Sequence, residues 1–361
     1  MIPDRPARTT GAIRLKTSMR RTLFLSLVLI ASFIGTAKVY AQAQMNLICA
    51  PGSDWCEAIV AGFQRDTGIK VNMVRKSSGE ILAQLRAEAQ NPKFDLWFGG
   101  STDTHFVAAE QGLLQPYASP NMANLHAWAL KAHAQSNQNC VGVSSAAIAI
   151  SWNTEVLKKK NVSPPTNWDD LLAPRFKGEV QLLNPNSSGT AYTIIAGWVQ
   201  MWGEDKAFDF MKALHVNVNS YARSGGAPIK AVANGETGVT VNFDLGALTE
   251  RFAGYPVEMI YPPQGTSYEV ACMAIIKGAR HEAQARQFYD WYLTPRAMDI
   301  GPAVNQWFVP AHKGAAPNPK LPNPAKIKLI DYDFATYGSA ATRKKLLDRW
   351  DREIGALPAS R

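Results

Sequence analysis

Between Leu47 and Gln111 the chain alternates three times between a short apolar run and a longer run whose apolar residues recur at helical spacing. Leu47-Ile-Cys-Ala50 leads into 54–67, where Ile59, Val60 and Phe63 share one face. Residues 69–74 lead into 81–89, and 94–98 into 104–111. A strand followed by a helix, repeated, leaves no place for hairpins, so the strands lie parallel with helices covering them. The fold class is α/β. In open sheets of this kind ligands sit beyond the carboxyl ends of the strands. Two turns at those ends share one chemistry, Lys76-Ser77-Ser78-Gly79-Glu80 and Gly99-Gly100-Ser101-Thr102-Asp103.

The most developed turn is Asn184-Pro-Asn-Ser-Ser-Gly-Thr-Ala-Tyr-Thr193, between a strand-like run at 178–183 and a helix-like run at 190–201. Ser187, Ser188, Gly189 and Thr190 fall on the first helical turn. Backbone N–H groups there have no partner inside the helix, and the macrodipole places about half a positive charge at that end. A phosphate or phosphonate can be held there without Lys or Arg. Serine and threonine at a helix start are more commonly plain caps. Repetition favours the anion site: Ser77, Ser78 and Gly79, then Ser101 and Thr102, then Ser224 and Gly225 of Tyr221-Ala-Arg-Ser-Gly-Gly-Ala-Pro228 repeat the device. A shared ligand face accounts for all of them together. Arg75 and Arg223 flank two of these turns and are equally suited to steering an anion or to the surface. His105 reads as a surface histidine.

The N-terminus reads as a targeting segment. Arg14, Lys16, Arg20 and Arg21 precede an apolar run over 23–35 that is too short to span a bilayer, and Val39-Tyr-Ala41 or Ala41-Gln-Ala43 offers small residues for cleavage. A signal peptide over residues 1–41 and export to the periplasm are expected, with Met19 as an alternative start. Export changes the charge balance: of 38 Lys and Arg against 29 Asp and Glu, residues 1–41 hold seven and one, leaving 31 against 28. With that balance and no long basic run, no nucleic acid is expected as a partner. Four cysteines in an exported chain point to disulfides. Of the three pairings, Cys49–Cys56 with Cys140–Cys272 is the expected one, the first local and the second between β-rich runs. CxxC and HxxxH spacings are absent, so no metal site and no cofactor is expected.

The length suggests two domains. Residues 140–152 form a β-type run long enough to carry the chain into a second domain, and 266–276 can carry it back. Two α/β lobes joined by two crossing strands leave a cleft with the glycine and hydroxyl turns on both walls, which suits hinge closure on a ligand. The expected division is 42–146 plus 270–361 for lobe 1 and 147–269 for lobe 2, with a last helix at 341–354 packed on lobe 1.

Several longer strings bear a resemblance. Phe63-Gln-Arg-Asp-Thr-Gly-Ile-Lys-Val71, Arg75-Lys-Ser-Ser-Gly-Glu80, Asp95-Leu-Trp-Phe-Gly-Gly100, the turn 184–193 and Trp202-Gly-Glu-Asp-Lys-Ala-Phe208 resemble periplasmic solute-binding proteins of ABC importers. The branch is the one called ferric-iron-binding, which also holds sugar-phosphate and phosphonate binders. The resemblance covers essentially the whole mature chain. It implies a bilobal type II periplasmic binding protein fold, no enzymatic activity, a small anionic solute as ligand, and delivery to a membrane permease with its ATPase by a monomeric carrier. GxSxG, HExxH and a phosphatase-like acid cluster are absent, which argues against a hydrolase of phosphate esters.

Within that branch the residues point towards phosphate. Ferric binders resemble one another in adjacent tyrosines, and here Tyr192, Tyr221 and Tyr268 are isolated. Ferric iron (Fe³⁺) is therefore the alternative ligand. The Ser-Ser-Gly turns at 77–79 and 187–189 are similar to those of sugar-phosphate binders. That group tends to carry a His-Asp pair where this chain has Leu245-Gly246, which puts hexose recognition in doubt. Glu269 matches an acidic position that faces the ligand, and Glu269 or Asp244 could receive an ammonium group, as an aminoalkyl phosphonate would require.

Overall fold

The computed structural model describes residue 1 and residues 42–358, apart from 317, 319, 324 and 325. The leader read over 1–41 lies, from residue 2 onwards, outside the described residues. From Ala43 onwards the described residues form one compact unit.

The predicted alternation is present. Strands β1 (Gln44–Cys49), β2 (Lys70–Arg75) and β3 (Leu96–Ser101) pair in parallel, β1 between the other two. They are separated by the helices Ser53–Thr67 and Ser78–Ala87, and β3 runs into the helix Thr102–Glu110. Strands buried on both faces need apolar residues at every position. Met45, Leu47 and Cys49 of β1 join one core cluster with Trp55, Phe63, Phe98 and Phe288, while Ile48 joins the other with Trp97, Ile81 and Leu82.

After β4 (Leu114–Gln115) comes the long β5 (Val141–Asn153), then β6 (Val180–Leu183), β7 (Val218–Ala222), β8 (Val239–Phe243), β9 (Val257–Ile260), β10 (Tyr268–Ile276) and β11 (Val309–Pro310). The sheet order is β2-β1-β3-β10-β5-β8-β6-β7. One end of β5 pairs with β10 and β11, and the other with β8 and β9. β10 in turn joins β5 to β3. These two strands are the crossings expected from their length, and each side of them carries its own parallel set, β6 with β7 and β8 on the second side.

Three expectations are corrected. Cys49–Cys56 is a disulfide, but Cys140 and Cys272 are free and buried. Cys272 pairs with Gly142, two residues from Cys140, so the thiols are diagonal neighbours across the ladder and not directly opposite one another. His105 is fully buried, not on the surface. Its ring stacks on Trp97 at 3.7 Å, and burial pushes its pKa down to about 3. The closing helix Ala340–Trp350 does not confine itself to the first side. Arg343 lies over Tyr192, Arg349 over Phe208, and Trp350 meets Tyr221 edge to face. The reason is Arg343, whose buried charge faces Asp103 and Tyr192 from the two sides. Among the described residues no helix is long and apolar enough to cross a membrane.

Candidate functional site

The turns at the strand ends enclose a cavity of about 160 Å³. From the first side come Ala50, Pro51 and Trp55 after β1, Arg75 at the end of β2, Ser77 and Ser78 at the start of the helix Ser78–Ala87, and Gly100 of β3. From the second side come Ser188, Gly189 and Thr190 at the start of the helix Gly189–Trp202, Gly225 and Gly226 before Ala227–Ala233, and Asn242, Phe243, Leu245 and Gly246 around the end of β8. The crossing strands add Ser144 and Ala146 of β5 and Glu269 and Ala271 of β10, and Gln306 joins them.

The two sides meet along a hydrogen-bonded seam. Gly79 N donates to Ser187 O at 3.1 Å, and Ser77 Oγ to Arg223 O at 3.4 Å. The Arg75 guanidinium donates to Pro51 O at 3.0 Å, Ala50 O at 3.1 Å and Ser224 Oγ at 3.0 Å. Such close approach requires glycine at two places. A Cβ on Gly79 would overlap the Asn186 carbonyl oxygen and stand 2.8 Å from that of Ser187. Gly100 has φ 85°, and a Cβ there would overlap Ser78 Oγ, the acceptor for Ser101 N at 3.3 Å.

Of the residues read from sequence, Ser77, Ser78, Ser188, Gly189, Thr190, Gly225 and Glu269 come together on this cavity. The others stand around it. Gly79 and Ser187 form the seam, with Ser187 Oγ donating to Arg223 O at 3.0 Å, and Ser224 binds Arg75. Ser101 and Thr102 face inward, not into the cavity. Ser101 Oγ meets Thr104 Oγ1 at 3.0 Å, and Thr102 Oγ1 donates to Val270 O. Asp244 is buried beneath the wall, where its Oδ2 accepts from Tyr261 Oη at 2.9 Å. Burial pushes its pKa up to about 6 against these hydrogen bonds. Trp55, Ser144, Asn242 and Gln306 were not singled out. They come from distant parts of the chain and carry no local signal, whereas Phe243 and Leu245 flank Asp244, which the sequence does pick out.

The cavity is two-natured. Hydroxyls, the Asn242 and Gln306 amides and two helix starts make one chemistry, and Trp55, Ala146, Ile229, Phe243 and Leu245 make the other. Glu269 is the one carboxylate among the described lining residues, and burial raises its pKa well above the usual carboxylate range, with the Asp103 charge adding to it. The isolated tyrosines are turned elsewhere: Tyr192 Oη donates to Tyr337 O at 2.6 Å, Tyr221 Oη pairs with His215 Nδ1 at 3.0 Å, and Tyr268 packs on Phe334.

Residues 91–336 match the family model of the bacterial extracellular solute-binding proteins. An uncharacterised protein of Haemophilus influenzae is 34% identical over 336 residues, spanning 92% of this chain and 97% of its own length. Among solved structures, the periplasmic binding protein AfuA from Actinobacillus pleuropneumoniae, with exogenous fructose-6-phosphate bound, superposes with a TM-score of 0.83 at 35% identity, over 88% of this chain and all of that one. The periplasmic binding protein P5PA does so with a TM-score of 0.84 at 32% identity, over 87% of this chain and all of that one.

Proposed function

We infer a ligand class from one premise: this chain belongs to the bacterial extracellular solute-binding proteins, periplasmic carriers that work with an ABC permease and its ATPase. Its cargo is a small phosphorylated or phosphonate solute, enclosed between two lobes that close about β5 and β10. The observation that carries this reading is the convergence of two hydroxyl-bearing helix starts, Ser77–Ser78 and Ser188–Thr190, on one cavity beside Arg75. Orphan N–H groups, hydroxyls and helix dipoles all favour an anion there. The fructose-6-phosphate bound by AfuA accords with it. The lobes are assigned to 42–146 with 270–361 and to 147–269, the closing helix Ala340–Trp350 reaching across to the second, and the carrier to the monomeric state, exported behind the leader at 1–41.

Ferric iron has less support. It wants several anionic oxygens, whereas the described lining offers Glu269 alone, and among the described residues no three His, Cys, Asp or Glu side chains are placed to hold a metal ion. The test is a thermal-shift panel on ligand-stripped mature protein with hexose phosphates, glycerol 3-phosphate, 2-aminoethylphosphonate, inorganic phosphate and ferric citrate. A ligand at a hundred times its Kd stabilises by about 2.7 kcal/mol. Stabilisation by a phosphate-bearing compound is expected. A shift with ferric citrate alone would overturn the reading.

A further inference from the structure

Beyond the seam formed by the turns at 77–80 and 184–188, the two sides touch at a second place, along the helix Asp244–Phe252. Its first turn lines the cavity through Leu245 and Gly246, and its last residue, Phe252, lies about 10 Å further along and is exposed. There the Phe252 ring packs on Trp307, with centroids 4.4 Å apart and 36° between the planes. Lys320 Nζ lies over both rings, at 4.8 Å from the first and 5.7 Å from the second. One turn back, Thr249 Oγ1 donates to Asn305 O at 2.9 Å. The helix follows β8 and belongs to the second side, whereas Phe308, next to Trp307, stacks on Trp55 at 4.4 Å in the core of the first side. The contact therefore crosses the cleft.

Its chemistry suits a contact that is made and broken. Thr249 has one hydroxyl hydrogen and a second acceptor in reach, Leu245 O of its own helix at 2.8 Å, so parting from Asn305 strands no donor. Trp307 is 4% exposed, and among the described residues its buried Nε1 has no hydrogen-bond partner. Stacking buries the ring, and separation returns its N–H to water, so neither state is strongly favoured without a solute. Asn305 has a left-handed φ of 59°, and the next residue, Gln306, lines the cavity. Residues 305–307 thus carry a cavity amide between two attachments to the opposite side.

We propose that Thr249, Phe252 and Trp307 form a clasp whose role is positioning: it holds residues 305–307 so that the Gln306 amide meets the bound solute, and it delays reopening. The inference rests on closure of the two sides around a solute, and not on that solute being a phosphate.

The test is calorimetry and stopped-flow kinetics on the full mature chain with fructose 6-phosphate and, where that is silent, with glycerol 3-phosphate, 2-aminoethylphosphonate, inorganic phosphate and ferric citrate. Phe252→Ala is expected to bind about tenfold more weakly. The loss should lie in dissociation, with association within about twofold of wild type, because the clasp forms only after encounter. Phe252→Tyr should restore binding. Ligand-free melting should be unchanged in both variants, since Phe252 is an exposed residue at a helix end. Gln306→Ala is expected to lose about fivefold, and the variant combining it with Phe252→Ala to lose clearly less than the product of the two, because one acts through the other.

Wild-type dissociation in Phe252→Ala, wild-type affinity in Gln306→Ala, or a combined loss equal to the product overturns the proposal. Binding of ferric citrate alone overturns the phosphate reading and leaves the clasp to be judged with ferric citrate by the same comparisons. Failure of every compound on wild type overturns the reading of the cavity, and the clasp's role with it.

Discussion

Gly79→Ala tests whether the binding-competent state brings the two turns together. In the closed arrangement the new methyl meets backbone, the carbonyls of Asn186 and Ser187, which a rotamer change cannot relieve. Forcing a carbon into a packed contact costs about 1 to 3 kcal/mol, and separating the turns also removes the Gly79 N–H to Ser187 O bond, a net contribution of about 1 kcal/mol. The closed state should therefore lose about 2 to 4 kcal/mol, a fall in affinity of about 30- to 700-fold. When the lobes are apart the methyl meets nothing across the cleft. There it should be neutral or stabilising by up to about 1 kcal/mol, because alanine is the better helix former. Calorimetry with whichever phosphate ester binds wild type reads the first effect, and thermal melting of the ligand-free protein reads the second. Wild-type affinity in a variant of unchanged stability would refute the reasoning, since it would mean that binding does not close residues 78–80 onto 184–188.

Further outcomes concern single residues. Ser188→Ala should weaken anion binding by about 1.5 to 3 kcal/mol, because that hydroxyl lines the cavity, and should cost about 1 kcal/mol of stability as the cap of Ala191 N. Ser187→Ala, whose hydroxyl is turned to Arg223 O, should bind nearly as wild type by calorimetry, and equal losses in the two variants would contradict the cavity's outline. Asp244 has a folded pKa of about 6 against an ordinary 3.8, so its favourable contribution is present below pH 4 and is lost as pH rises through 6. Asp244→Asn should accordingly gain about 2 kcal/mol relative to wild type between pH 4 and pH 7, measured by urea unfolding, and the same difference at both pH values would contradict its burial as a carboxylate. Reducing Cys49–Cys56, which closes a short loop, should cost about 2 to 3 kcal/mol in the same assay, and an unchanged midpoint would mean that the loop is already ordered by Trp55 and its neighbours.

Much of the architecture was legible before any coordinates. The period of the apolar residues in 44–110 specifies strand, helix and their order, because burial on both faces of a strand and one face of a helix leaves distinct patterns. The turns at 76–80 and 184–190 were legible for a similar local reason: glycine and hydroxyls at a helix start satisfy backbone groups that nothing else in the helix can reach. Local chemistry cannot tell which of several such starts faces a ligand. Ser78 and Ser188 look like Ser101 and Ser187 in sequence, yet the first two line the cavity and the others are turned to Thr104 and Arg223.

The sequence by itself determined the α/β class, the two crossing strands and the hydroxyl-rich character of the strand ends, since each follows from spacing along the chain and from backbone groups that must be satisfied nearby. Tertiary structure decided which turns meet, that Cys140 and Cys272 stand diagonally as free thiols, and that Asp103 is buried with hydroxyls of Thr193 and Tyr332 donating to it. Those depend on strand register and on contacts between residues far apart in the chain. Desolvation and pairwise electrostatics, which set how a carboxyl behaves, act through space and leave no pattern in sequence.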